Sequence, residues 1–359
     1  MIRIRPRSVL KICLLIVCLL VAGGFFLRIP KVENATDLAM DTAVTITLYE
    51  KRNLFDILFG AGDKADIYLA EIHRIDDEVL DKRSNDSECY RFNHCDEECY
   101  AGSEEFYELL EVSLELADKT DGMADVTLGA LIDLWDIEGN IGRTDYIPPS
   151  DIYVEGVKNS YGYEHVEVRP NGVVCDLDGL SLDFGALGKG YALDRLYEDL
   201  ISRKDMNGAV IAMGGSILAY GQKNDHTSFK IGIRDPEGGI LDTLGVIEWG
   251  IKEPVFVSTS GNYERYTVSK DGKIYSHILN PVTGRPAEND LLSVTVLAHS
   301  GLVSDGLSTA CLIAGEKEAE VFLREYDAEA IYVYNDHSIH VTDGLKELFT
   351  LTDKEYHIE

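Results

Sequence analysis

Apolar and polar residues alternate along "TAVTITLY", where Val44, Ile46 and Leu48 are separated by Thr45, Thr47 and Tyr49. Period two is the signature of a strand with one buried face. Further on, Tyr68, Ile72, Ile75 and Val79 recur at spacings of four, three and four, which aligns them on one side of a helix. A second helix is expected over 104–117. From Ser181 the pattern reads as a short apolar strand, a glycine turn and a third helix, with Leu193, Leu196 and Leu200 on its inner side. The second half changes rhythm. Short apolar runs follow one another at "AVIAM", "FKIGI", "VFVS", "YTVS", "IYSHI" and "LSVTVLA", and Asp271-Gly272 supplies a hairpin turn between two of them. Helices near 303–314 and 317–325 and strands "AIYVY" and "IHV" close the chain. Clustered strands with separate helices predict an α+β fold. No internal repeat or Pro-rich linker interrupts residues 39–350, so 37–359 reads as one interwoven domain.

The N-terminus follows a different pattern. Arg3, Arg5 and Arg7 precede an unbroken apolar run that extends from Val9 to Leu27 apart from Lys11. Such a run is just long enough to cross a bilayer as a helix. Positive charge ahead of it places residues 1–8 in the cytoplasm and the body outside. The expectation is therefore an uncleaved anchor over 9–27, contacting membrane lipid, and a linker over 28–36 that shades into the domain by residue 38. A cleaved signal peptide lacks a small-x-small site, and Cys18 lacks the small residue that lipidation would want before it.

Charge narrows the function. With 33 basic residues against 63 acidic ones the net charge is −30, and the acids are spread along the whole chain. That surface repels phosphate backbones and argues against nucleic acid as a partner. An acidic protein that handles nucleotides would need a divalent cation between its carboxylates and the phosphates. Of the seven cysteines, Cys13 and Cys18 lie in the anchor, while Cys175 and Cys311 sit in apolar surroundings. Cys89, Cys95 and Cys99 lie close together with His94. Their spacing suits a disulfide outside the cell better than a zinc site.

Three stretches carry candidate chemistry. "SLDFGALGKGYALDRL" places Gly185, Gly188 and Gly190 as G-x-x-G-x-G, the reverse of the dinucleotide fingerprint, and no kinase catalytic loop accompanies its "DFG". It reads as a tight turn or as a helix start that holds an anion. In "VSDGLSTACLIAG", Asp305 and Thr309 are four apart and share a helix face. They suit a hard cation such as Mg²⁺; alternatively Ser304 or Asp305 caps the helix. In "YSHILNPVTGRP", His277 is either a packed histidine or, beside a phosphoanhydride, a base for an attacking hydroxyl.

Taken together, seven motifs in order resemble the FAD:protein FMN transferases, the ApbE family. "ADVTLGALIDLW" is similar to the family's F-D-x-T-x-G-x-L-x-x-L-W block, and "LDFGALGKGYALD" to L-D-x-G-[GA]-[IL]-x-K-G-Y-A-x-D. "AMGGS", "IGIRDP", "STSGNYERY", "YSHILNPVTGRP" and "SDGLSTA" resemble the remaining blocks, so the likeness spans about 37–345. "DGLSTA" also looks like the motif that receives FMN in target proteins; its place among the other blocks makes it part of the enzyme.

The resemblance implies a T-fold-like catalytic domain and a reaction. FAD is cleaved at its pyrophosphate, FMN is joined by a phosphodiester to a Thr or Ser hydroxyl of an exported or membrane flavoprotein, and AMP leaves. It further implies Mg²⁺ held by Asp305, Thr309 and the Ala186 carbonyl. FAD contacts fall at Met40, Met123, Ala124, Asp125, Asp183, Lys189 and Ile278, with His277 as base. Two other readings are open: a pyrophosphatase that releases FMN and AMP, and a flavin-binding module without catalysis. Three positions depart from the family pattern. Asp41 stands where M-G-T has glycine, Arg83 where an aromatic is common, and Ser216 where an acid or amide follows the glycine pair. Asp41 is expected to crowd or repel part of the nucleotide, whereas Arg83 can stack on a ring.

Overall fold

The computed structural model describes residues 28–53, 64–239, 241–250 and 253–359. The expected cytoplasmic stretch 1–8 and anchor 9–27 lie outside them. No helix among the described residues is long and apolar enough to cross a membrane.

The chain begins with β1 (Arg28–Ala39) and β2 (Thr42–Asn53), then enters α1 (Lys64–Ile75), which ends in a π-helical turn over 76–80. Helices α2 (Glu88–Asn93), α3 (Glu104–Lys119), α4 (Gly129–Trp135) and α5 (Asp151–Val157) precede the hairpin β3 (Val166–Arg169) and β4 (Gly172–Cys175). Helix α6 (Gly188–Ser202) leads into β5 (Met206–Met213), β6 (Ser216–Gly221), β7 (Phe229–Arg234), β8 (Thr243–Trp249) and β9 (Val255–Gly261). Two small hairpins follow, β10 (Tyr266–Val268) with β11 (Ile274–Ser276) and β12 (Leu279–Asn280) with β13 (Arg285–Pro286). After β14 (Leu291–Ala298) come α7 (Gly301–Ala314), α8 (Glu316–Glu325), β15 (Glu329–Tyr334), β16 (Ser338–Val341), β17 (Phe349–Leu351) and β18 (His357–Ile358).

One nine-stranded sheet organises the molecule in the order β1-β2-β5-β6-β9-β14-β15-β16-β18. All its pairs are antiparallel except the final β16–β18 pair. Helices α1, α3, α6 and α7 bury their apolar sides against one face, where Ile46, Leu48, Ile72, Leu109, Leu193 and Leu307 share a core. The small sheet β17-β8-β7 covers the other face through Phe229, Ile231, Ile247 and Phe349. A third, smaller core gathers Leu131, Trp135, Val154 and Leu279, and carries the loops around His277. Antiparallel strands with helices segregated to one side make the mixed α and β arrangement that the pattern of runs predicts.

Three expectations change. Residues 28–36, read as a linker, belong to β1, which pairs with β2 along its whole length. An edge strand has one neighbour and a solvated side, so it tolerates Pro30 and many polar residues and escapes a search for apolar alternation. Its inward contact is ionic: Glu33, 4% exposed, pairs with buried Arg52 and accepts the Lys64 backbone N–H at 2.8 Å at the start of α1. The apolar run from Ser181 forms only a single bridge, Ser181 to Leu128, before the turn. The cysteines Cys89, Cys95 and Cys99 are free thiols, with Cys89 buried in the core.

Candidate active site

The site is built where α6 crosses α7. A Cβ on Gly190 would lie 2.0 Å from the Gly301 carbonyl oxygen and 2.7 Å from the Asp305 Cβ. One on Gly301 would lie 2.3 Å from the Gly190 carbonyl oxygen. Only glycine at both positions permits the backbones to touch. The glycine turn therefore serves an approach of two helices, and that approach brings Lys189 and Asp305 together, with Ala186 half-buried in the turn four residues before Gly190.

Helix α7 starts at Gly301, earlier than expected, because Ser300 is its cap and accepts the Val303 N–H at 3.4 Å. The Asp194 carboxylate braces the same end through the Gly301 and Leu302 N–H groups. Neither Ser304 nor Asp305 is the cap, so Asp305 stands inside the helix, only 3% exposed. A buried carboxylate away from a helix end needs partners. Asp305 Oδ2 accepts from the Gly190 N–H at 3.0 Å, Oδ1 accepts from Ser216 Oγ at 2.9 Å, and the Lys189 ammonium stands 3.5 Å away. One turn later Thr309 Oγ1 meets Ser260 Oγ at 3.0 Å, and Ser260 meets Ser308 Oγ at 2.7 Å. Ser216 and Ser260 emerge as members of the site. The substitution at 216 was the signal for the first; the second lies in the "STSGNYERY" block, which gave it no role.

His277 lies on the neighbouring lobe, half-buried. Its Nδ1 and its backbone N–H are 3.0 and 3.1 Å from the Arg265 carbonyl oxygen, so Nδ1 carries the proton and Nε2 keeps a lone pair. Burial lowers its pKa to about 4, and the cationic Arg265 and Lys189 act in the same direction. The imidazole is therefore neutral at physiological pH. Its coupling to Lys189 links this lobe to the α6–α7 crossing.

The remaining expected residues lie at four places. Met40 turns the β1–β2 hairpin with a positive φ of 50° and donates its N–H to Asp76 Oδ2 at 2.9 Å. Asp183 accepts from the Gly185 N–H at 2.8 Å and pairs with Lys82 at 3.0 Å, beside the glycine turn. Met123, Ala124 and Asp125 sit in the loop after α3. The Ala124 N–H bonds to Thr120 Oγ1, and both Asp125 oxygens accept backbone N–H groups, from Thr127 and Tyr163. Burial raises the Asp125 carboxyl above the ordinary range, so its first duty is to hold this loop. Ile278, 6% exposed and next to His277, accepts the Ala287 backbone N–H at 2.9 Å.

The departures Asp41 and Arg83 find each other. Arg83 Nη2 reaches Asp41 Oδ2 at 3.1 Å, and its Nε reaches Asp81 Oδ1 at 3.1 Å. The Asp41 carbonyl accepts from Arg265 Nη2 at 3.2 Å, and Arg265 also pairs with Glu138. These charges form an exposed rim that joins the hairpin turn to the residue orienting His277.

The ApbE family model matches residues 40–332. The chain belongs to the ApbE family. A FAD:protein FMN transferase of Vibrio cholerae is 30% identical over 290 residues, covering 80% of this chain and 83% of its own length. The FAD:protein FMN transferase of Escherichia coli K12 is 31% identical over 259 residues, or 70% of this chain and 71% of that one. The ApbE protein of Thermotoga maritima, solved as a crystal structure, has a TM-score of 0.76 and 31% identity over 89% of this chain and 99% of its own. In this ApbE chain, four of the motifs, those carrying Gly190, Ser216, Ser260 and Asp305, meet at the α6–α7 crossing.

Proposed function

We propose that this chain is an FAD:protein FMN transferase whose acceptor is a Thr or Ser hydroxyl of an exported flavoprotein. The observation that carries the reading is His277: a neutral imidazole, fixed through Nδ1 to the Arg265 carbonyl, with Nε2 unprotonated and electrostatically coupled to Lys189. Such a group takes a proton from an attacking hydroxyl. The acceptor oxygen forms a bond to the FMN-side phosphorus of FAD while the bond from that phosphorus to the AMP oxygen breaks. The proton passes to His277 Nε2, and AMP leaves with the electron pair.

The donor set at Asp305, Thr309 and Ala186 fits Mg²⁺. It is oxygen-only, with one carboxylate, one hydroxyl and one backbone carbonyl, and Asp305 is held by neutral donors that leave lone pairs on both oxygens. Mg²⁺ prefers few protein oxygens and completes its shell with waters and phosphates. When bound it would neutralise charge on the pyrophosphate. The chain's own groups orient Asp305 through Ser216 and Gly190 and place Lys189 beside it. The apolar segment 9–27 would hold this domain on the outer face of a membrane, where an exported acceptor is met.

Incubating the protein with FAD, Mg²⁺ and a flavoprotein domain bearing a candidate Thr tests the reading. An acceptor mass increase equal to one FMN residue, with one AMP released per acceptor, is the expected result. Free FMN with an unlabelled acceptor would instead identify a pyrophosphatase.

A further inference from the structure

Arg234 closes β7 and stacks on the Tyr263 ring, its Cζ 5.0 Å from the ring centroid. Its Nε is buried and has no hydrogen-bond partner among the described residues. No ion pair to a described residue engages this guanidinium, although acids outnumber bases nearly two to one along the chain. Next to Tyr263 is Glu264, whose carboxylate likewise makes no hydrogen bond or ion pair among the described residues. Glu264 reaches solvent, yet protein surrounds its carboxyl closely enough that desolvation raises it above the ordinary range. The cations acting on it are Lys189, Arg234 and Arg265; Asp305 opposes them. Three cations thus act on one loosely held carboxylate, and none of them makes an ion pair with it among the described residues.

A cation with an unfilled, buried donor is costly unless a ligand completes it. The planar guanidinium, fixed by a ring, suits the oxygens of a phosphate. We infer that Arg234 is an additional anion-binding residue of this site, taking a phosphate group of the substrate or of the AMP product, and that Glu264 is its counter-ion in the free protein. The identity of the phosphate rests on the flavin-transfer reading; the anion site itself does not. Arrival of the phosphate satisfies Arg234 and Lys189 in place of Glu264. The two side chains therefore act on affinity with opposite sign.

Equilibrium binding to the full chain, with metal chelated to prevent turnover, tests this with four probes: FAD, AMP, inorganic pyrophosphate and riboflavin. Arg234→Gln should weaken the three phosphate-bearing probes about tenfold or more and leave riboflavin unchanged. Arg234→Lys should lose part of that affinity, and Glu264→Gln should tighten the same three probes. Unchanged phosphate affinity in Arg234→Gln, an equal loss for riboflavin, or weakening in Glu264→Gln would each overturn the assignment. Should Arg234→Gln fail to fold, the sign of the Glu264→Gln effect decides alone. Pyrophosphate binding that depends on Arg234 without any FAD binding would keep the anion site and discard the flavin reading.

Discussion

The floor of the site and its rim solve the same electrostatic problem in different ways. At the floor, Asp305 is buried and its two oxygens are held by one backbone N–H and one hydroxyl, with a single ammonium nearby. At the rim, Asp41, Asp81, Arg83, Arg265 and Glu138 are bound to one another mainly by charge, and the Asp41 and Arg83 side chains are 55% and 65% exposed. Charges at the floor are screened little and are oriented before any ligand arrives. Those at the rim face water and mobile ions, which reduce an ion pair to a few tenths of a kcal/mol up to about 1. Loss of the Asp305 carboxylate from the floor should therefore matter far more than loss of a whole ion pair from the rim.

His277→Ala gives the largest expected effect, a fall in transfer rate of roughly a hundred- to ten-thousand-fold with FAD binding largely kept. Its pH profile sharpens the point. Because the folded imidazole titrates at about 4, the base is lost only on acidification well below the ordinary histidine range, so the acid limb of kcat/KM should lie nearer 4 than 6.5. The same shift sets the sign for stability. The unfolded chain binds a proton to this histidine more readily than the folded one, so His277 costs stability as pH falls from about 6.5 towards 4.

Asp305→Ala comes next, with a loss of roughly a hundred- to a thousand-fold and an activity that no longer responds to added Mg²⁺. Gly190→Ala should act through the fold: its Cβ meets the backbone of α7, so thermal denaturation should show a loss of about 1–3 kcal/mol. Ser216→Ala removes one donor to Asp305 and should cost about 1 kcal/mol in stability, seen in denaturant titration. Smallest is the rim. Arg83→Ala should shift stability by no more than about 1 kcal/mol, and that shift should vanish at high salt. A rim substitution as damaging as Ser216→Ala at high salt would break the contrast between the two regions.

How far each region was legible follows from where its signal is stored. The helix carrying Tyr68, Ile72, Ile75 and Val79 is legible because its apolar spacing is local, and all four residues are buried. Strand β1 was not, because an edge strand is defined by a neighbour and its one buried acid is satisfied by Arg52 from β2. Asp305 and Thr309 are legible as a pair on one helix face. That Asp305 is not a cap depends on Ser300 and Asp194, and Asp194 comes from a different helix. Asp41 and Arg83 look like two separate departures along the chain and are one ion pair in space.

By itself the sequence determined the periodicities, the acidic surface and the order of seven motifs, and these sufficed to name the family and its candidate chemistry. Periodicity and motif order are properties of neighbours along the backbone, so they survive without coordinates. Only the tertiary structure decided that the glycine turn exists to let α6 touch α7, that Ser216 steadies Asp305, and that Arg265 fixes the tautomer of His277. Each of these depends on contact between residues at least a dozen positions apart, where hydrogen-bond geometry and desolvation act through space and leave no repeat along the chain.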